Sequence, residues 1–311
     1  MSKVSQRLRP GDYVEVRSPA EILPTLDGEG AIEHVPFMPE MLESCGRRFR
    51  VARRVVTTCC GGGGLPRSFK TDDVVTLDSL RCSGAAHDGC QKSCMIFWRE
   101  AWLRKVDNLV ATPRVDPVES ERLRAHLKVS NCAQRYFCQA SELLKATDHV
   151  STRWKKLWTY YAGYRAGNYS FVGMIHILSI WLWWRIRFMI HGRFARGTQK
   201  STSTQGLNLQ PGEWIEVKSI EKIVETLNEK ALNRGLSFSP DMGLLCGKRC
   251  QVRGRVDKIV MDGSGEMRQL RDTVCLEGST CGCAYLGWGM GGCSRNEYVY
   301  WREIWLERTP V

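Results

Sequence analysis

The sequence predicts an α+β protein: two homologous small β-barrel-like domains joined by a helical, basic middle segment. Three observations carry this. RPGDYVEVRS (9–18) returns as QPGEWIEVKS (210–219), and further matches follow in the same order. The repeated stretches alternate apolar and polar residues with a period of two, between Pro-Gly and Gly-rich turns. The stretch between the copies has no partner in the repeat and a charge balance of its own. Residues 111–205 carry 15 basic and 5 acidic side chains, against 16 and 14 in 1–110 and 14 and 14 in 206–311. The domains are therefore 1–110, 111–205 and 206–311. With 311 residues, 43% apolar and 25% charged, the chain is globular in composition, not disordered, collagen-like or a small disulfide scaffold.

Each element of the repeat follows from its residues. The Pro-Gly turn leads into a strand in which Val14 and Val16 oppose Tyr13 and Glu15, as Ile215 and Val217 oppose Trp214 and Glu216. Short helices are expected at 19–28 and 220–233. FMPEM (37–41) aligns with FSPDM (238–242), and Cys45-Gly46 with Cys246-Gly247. FRVARRVV is a second strand, and CCGGGGLP a hairpin tip that DGSGE replaces in the second copy. DVVTLDSLRC (73–82) aligns with DTVCLEGSTC (272–281), and WREAWL (98–103) with WREIWL (301–306). The last is read as a strand with Trp98, Glu100 and Trp102 on one face. Several short strands in about 100 residues suit a curled, SH3-like barrel.

In the middle segment, VESERLRAHLKV reads as a helix capped by Ser120, RYFCQASELLKA as helix or turn, and TRWKKLWTYYAGYR as a basic aromatic helix. From Phe171 to Trp184 only His176 and Ser179 are polar. That is short of the ~20 apolar residues a span needs, and Arg185 and Arg187 follow at once. Two readings stay open for 169–193: a helix buried between the barrels, or in-plane attachment to an anionic membrane through Trp181, Trp183 and Trp184. Nucleic-acid binding by the same charge and aromatics is a weaker third.

The strongest constellation is Cys82, His87, Cys90 and Cys94 in RCSGAAHDGCQKSC, four zinc-type ligands within one loop. In the second copy Cys281 matches Cys82 and Cys293 matches Cys90, with Cys283 as an added thiol, and Cys45 and Cys246 also correspond. One zinc per repeat is expected; iron–sulfur fits less well, because a histidine is present and paired CxxC motifs are not. Trp98, Trp102, Trp301, Trp305 and Trp288 are read as partner-binding anchors, weighed against their filling the barrel cores. MSKVSQRLRPGDYVEV lacks an apolar leader core, so a cytoplasmic chain with reduced thiols is expected.

Asn131-Cys132 after a Pro-Gly-Asp strand superficially resembles the lecithin:retinol acyltransferase-like thiol hydrolases. That resemblance implies a Cys132 nucleophile with a histidine base, for which only His34 is placed. The second copy has the strand without the Asn-Cys pair, so the repeat explains it without catalysis. Walker, HExxH and GxSxG fingerprints do not occur, and no nucleotide-binding GxGxxG sits within a strand–helix unit. YFCQASELLKAT between two PGD-type barrels resembles a group of bacterial proteins of uncharacterised activity, a resemblance that implies no reaction. The expected function is therefore a metal-stabilised binding or scaffold protein for a peptide, protein or membrane-surface partner. The alternative is a metal- or thiol-dependent biosynthetic enzyme.

Overall fold

Each copy of the repeat folds into a five-stranded, curled antiparallel sheet with the same strand order, so the duplication holds in three dimensions. A computed structural model describes residues 7–60, 66–108, 115–131, 133–192, 194–281 and 294–309. The first copy runs through β1 (Tyr13–Val16), α1 (Pro19–Ile22), β2 (Ala31–Ile32), β3 (Val35–Pro36), β4 (Arg48–Arg54), β5 (Thr58–Cys59), β6 (Pro66–Phe69), β7 (Val74–Arg81), β8 (Met95–Arg99) and β9 (Leu103–Val106). Its main sheet is ordered β8-β7-β4-β1-β9.

The middle segment supplies α2 (Pro117–His126), α3 (Leu143–Ala146), β10 (Thr147–His149), α4 (Arg153–Arg165) and α5 (Phe171–His191). The second copy follows with β11 (Trp214–Val217), α6 (Ile220–Val224), β12 (Leu232–Asn233), β13 (Leu236–Ser237), α7 (Pro240–Gly243), β14 (Arg249–Arg255), β15 (Lys258–Val260), β16 (Met267–Gln269), β17 (Thr273–Thr280), β18 (Tyr298–Arg302) and β19 (Leu306–Arg308). Its sheet is ordered β18-β17-β14-β11-β19.

The period-two alternation places the core as expected. Val14, Val16, Ile215 and Val217 are fully buried, while their neighbours along the strand are not. The predicted WRExWL strand is broken. β8 ends at Arg99, a 3-10 turn covers Glu100–Trp102, and β9 starts at Leu103. The turn carries the chain from one edge of the sheet to the other. Both tryptophans still point inward, each packing its ring edge-on against Phe37 (6.2 and 5.2 Å). Trp301 and Trp305 meet Phe238 in the same way. All four are fully buried. The partner-anchor reading of Trp98, Trp102, Trp301 and Trp305 is therefore corrected: an indole with no exposed surface cannot touch a partner, and these build the cores.

The same turn presents a glutamate to the last arginine of β4 in the first copy and of β14 in the second. Glu100 Oε1 accepts from Arg54 Nη1 (2.6 Å) and from the Leu8 amide (2.7 Å). Glu303 accepts from Arg255 Nη1 (3.0 Å) and from the amides of Leu207, Asn208 and Leu209 (2.5, 2.9 and 3.1 Å).

The helices are shorter than the sequence suggests. α1 stops at Ile22, where Pro24 forces a 3-10 turn, and α6 stops at Val224. The cap of α2 is Asp116, whose carboxylate accepts from the Val118 amide, and not Ser120. The chain divides into two units, 1–174 with 260–268, and 175–259 with 269–311. Most of the middle segment and one hairpin tip of the second copy thus fold with the first barrel. Tyr136 N donates to Gly265 O (2.9 Å), Gly263 N to Ala140 O (3.1 Å), and Lys92 Nζ pairs with Asp262 (2.6 Å). Gln139 docks the same segment on β8. Its amide accepts from Phe97 N (2.8 Å) and donates to Phe97 O (2.8 Å) and Pro36 O (3.0 Å), as a strand partner would.

Candidate metal centre

The loop 82–94 joins β7 to β8 and is pinned at its base by Cys82 N donating to Cys94 O (2.8 Å). Gly84 takes a φ of +72° and accepts from the amides of His87 and Gly89 (2.9 and 3.0 Å), curling the loop on itself. A Cβ at Gly84 would overlap the Cys90 carbonyl, so the curl requires glycine. The outcome is that His87 is carried inward until its side chain is only 2% exposed.

Both ring nitrogens of His87 meet acceptors. Nε2 lies 3.1 Å from the Phe137 carbonyl, and Nδ1 lies 2.9 Å from Glu40 Oε1. A carbonyl only accepts, so Nε2 carries a proton and donates it. Nδ1 is then the nitrogen that shares a proton or a cation with Glu40. The Ala86 amide (3.3 Å) and the Cys82 thiol (3.7 Å) also donate to Glu40 Oε1. The other carboxylate oxygen, Oε2, is buried without a hydrogen bond. The ligand-type atoms of Glu40, Cys82 and His87 lie within 4.8 Å of one another.

Beside this trio is a cavity of about 30 Å³ lined by Cys82, His87, Cys90, Cys94 and Cys138, among others. Burial pulls the His87 pKa down, but the hydrogen bond and charge of Glu40 outweigh it and leave the pKa raised. For Glu40 burial acts upward, and the bond and charge of His87 reverse it, so its carboxyl is held below the usual range. Burial first, then the Glu40 charge, pushes the Cys82 thiol up. Burial does the same to Cys138. Without a cation these thiols stay protonated; a bound metal would reverse that local logic.

The structure thus brings Cys82 and His87 together and sets Cys90 and Cys94 on the adjoining cavity. Cys90 is turned partly away, its Sγ accepting from the Val260 amide (3.2 Å). Cys45 is buried at the end of the Pro39–Ser44 turn, with its pKa pushed by burial to about 12, and does not line the cavity. Cys246 is half-buried, its pKa raised to about 11 by burial and then by the Glu221 charge. Cys281 is half-buried at the end of β17. Cys283, Cys293, Trp288 and Cys132 lie outside the described residues. Glu40 and Cys138 were missed by sequence reasoning. The signal for Glu40 was the acid shared by FMPEM and FSPDM, which places Asp241 at the same position. Nothing local marks Cys138.

The helices of the middle segment behave differently from the cores. None of the 21 residues of α5 is buried. Trp183 is 57% exposed and Met189 76%, and in α4 Trp154 is 81% exposed. Arg185 lies over the Trp181 ring (6.0 Å) and Arg187 over the Trp184 ring (5.4 Å). Among the described residues no helix is long and apolar enough to cross a membrane. Compared with protein-family models, with curated proteins and with solved structures, the chain matches none.

Proposed function

We propose that the chain is a metal-stabilised binding protein, built on two SH3-like barrels, that docks on an anionic membrane surface through α4 and α5. The observation that carries this reading is α5: 21 residues, rich in Trp, Ile, Leu and Phe, with none buried. Soluble chains rarely leave so long an apolar run uncovered. Two of its three tryptophans, Trp181 and Trp184, sit under arginines, the pairing suited to the headgroup level of a bilayer, where rings stay at the interface and cations meet lipid phosphates. The excess of 15 basic over 5 acidic residues in 111–205 supplies the attraction. Since no described helix is long and apolar enough to cross a membrane, the helices lie in the plane.

The test is co-sedimentation with vesicles containing anionic lipid. Wild type binds at low ionic strength and is released as salt shortens the screening length from ~30 Å at 0.01 M to ~3 Å at 1 M. Trp181→Ser, Trp183→Ser and Trp184→Ser together lower binding about 100-fold if each indole contributes ~1 kcal/mol, with the fold intact by circular dichroism. Wild type that ignores anionic vesicles at low salt overturns the proposal, as does equal binding to neutral vesicles at all salt concentrations.

A further inference from the structure

We infer that Glu40, Cys82 and His87 are the protein ligands of a zinc ion in the first unit, with His87 binding through Nδ1 and Glu40 as the carboxylate that completes the trio. This rests on the metal-stabilised part of the reading above and is independent of membrane docking. Four observations support it. First, a metal-binding histidine usually donates its other N–H to a carbonyl or carboxylate, which fixes the ring. His87 does this through Nε2 and Phe137 O (3.1 Å), leaving Nδ1 aimed at Glu40 and Cys82.

Second, the three ligand-type atoms lie within 4.8 Å of one another. Bonds of ~2.0–2.3 Å in a tetrahedron put neighbouring ligand atoms ~3.3–3.7 Å apart. Sγ to Oε1 is 3.7 Å, inside that range, while Nδ1 to Oε1 is 2.9 Å, a hydrogen-bond distance that must open slightly to admit the ion. Third, Glu40 Oε2 is buried and without a hydrogen bond on a side chain only 6% exposed. A buried carboxylate oxygen with no donor is costly unless a cation takes it up. Fourth, the duplicated positions keep two of the three ligand types: Asp241 stands where Glu40 does and Cys281 where Cys82 does, while Met290 replaces His87.

Cys82 and His87 border a cavity beside the trio, into which a fourth vertex would open. About 30 Å³ is room for one water-sized ligand. Three protein ligands and one such vertex make a site with an exchangeable position, unlike a closed structural site.

The experiment uses the full chain, stripped of metal and titrated with Zn²⁺ in competition with a chelator and with Co²⁺ as a spectroscopic probe. Cys82→Ser, His87→Ala and Glu40→Gln should each lose one equivalent of Co²⁺ per chain relative to wild type, or weaken that equivalent at least tenfold. Cys82→Ser should also remove a thiolate-to-cobalt charge-transfer band. Cys45→Ser and Cys90→Ser should keep both. Glu40→Asp, which installs the second copy's acid, should retain binding and serves where Glu40→Gln unfolds. If folded Glu40→Gln and His87→Ala bind as many ions as wild type, the ligand set is wrong while metal stabilisation stands. If wild type binds no Zn²⁺ or Co²⁺, both fall and His87–Glu40 is a buried ion pair alone.

Discussion

Glu303→Gln should destabilise the protein by about 3–5 kcal/mol, whereas the equivalent Glu100→Gln in the first copy should cost only about 1–1.5 kcal/mol. The two glutamates come from the same WRE sequence and face equivalent arginines, Arg54 and Arg255, but they use their oxygens differently. Glu303 is fully buried and engages both: Oε2 accepts from Leu207 N and Asn208 N, and Oε1 from Leu209 N and Arg255 Nη1. An amide has one acceptor oxygen. Whichever way the substituted side-chain amide is turned, its NH₂ faces N–H donors, two bonds are lost, and donors are left without a partner. Each lost bond to a charged acceptor is worth ~1.5–3 kcal/mol. In Glu100 both bonds fall on Oε1, from Leu8 N and Arg54 Nη1, so a glutamine with its oxygen there keeps both and forfeits only charge assistance. Urea unfolding followed by tryptophan fluorescence and circular dichroism measures both variants, with Trp301 and Trp305 reporting on the second core. Equal losses, or a larger loss for Glu100→Gln, would refute the argument that acceptor occupancy decides the cost.

Two further outcomes follow from the first unit. Gly84→Ala should cost more than about 2 kcal/mol and disrupt the 82–94 loop, because its φ of +72° disfavours a side chain and its Cβ would strike the Cys90 backbone. Gly28→Ala, which meets nothing, should stay within about 0.5 kcal/mol in the same thermal melts. Lys92→Met should cost about 3–5 kcal/mol by leaving the Asp262 charge buried, the two side chains being 6% and 5% exposed. The double variant Lys92→Met, Asp262→Leu should recover most of it in a double-mutant cycle; an additive result would mean the pair is uncoupled.

Much of the architecture was legible because its determinants are local or repeated. The duplication, the alternating strands and the isolation of charge in 111–205 need only neighbouring residues or a self-alignment. Strand order inherits from this: once two copies share a pattern, they share the sheet. The site was half legible. Cys82 and His87 lie five residues apart in one glycine-containing loop, so their proximity could be read directly. Glu40 lies 47 residues from His87 and Cys138 is on another segment, and side-chain spacing carries no information across such distances.

The two β-rich copies, their buried aliphatic faces and the basic helical segment between them follow from the residue order, since period, turn chemistry and charge act along the chain. Where the tryptophans point was settled by long-range packing. The same WRE-x-WL letters fit an exposed strand or a core strand interrupted by a turn, and the edge-to-edge crossing of β8 to β9 selects the second. Tertiary structure also decided that Gln139 would satisfy the backbone of Phe97, that Lys92 would meet Asp262, and that Glu40 would sit against His87. Each of these pairs joins distant segments whose approach is set by packing. Buried polar groups then accept whichever partner the fold brings within reach, because leaving one unpaired costs more than any local preference supplies.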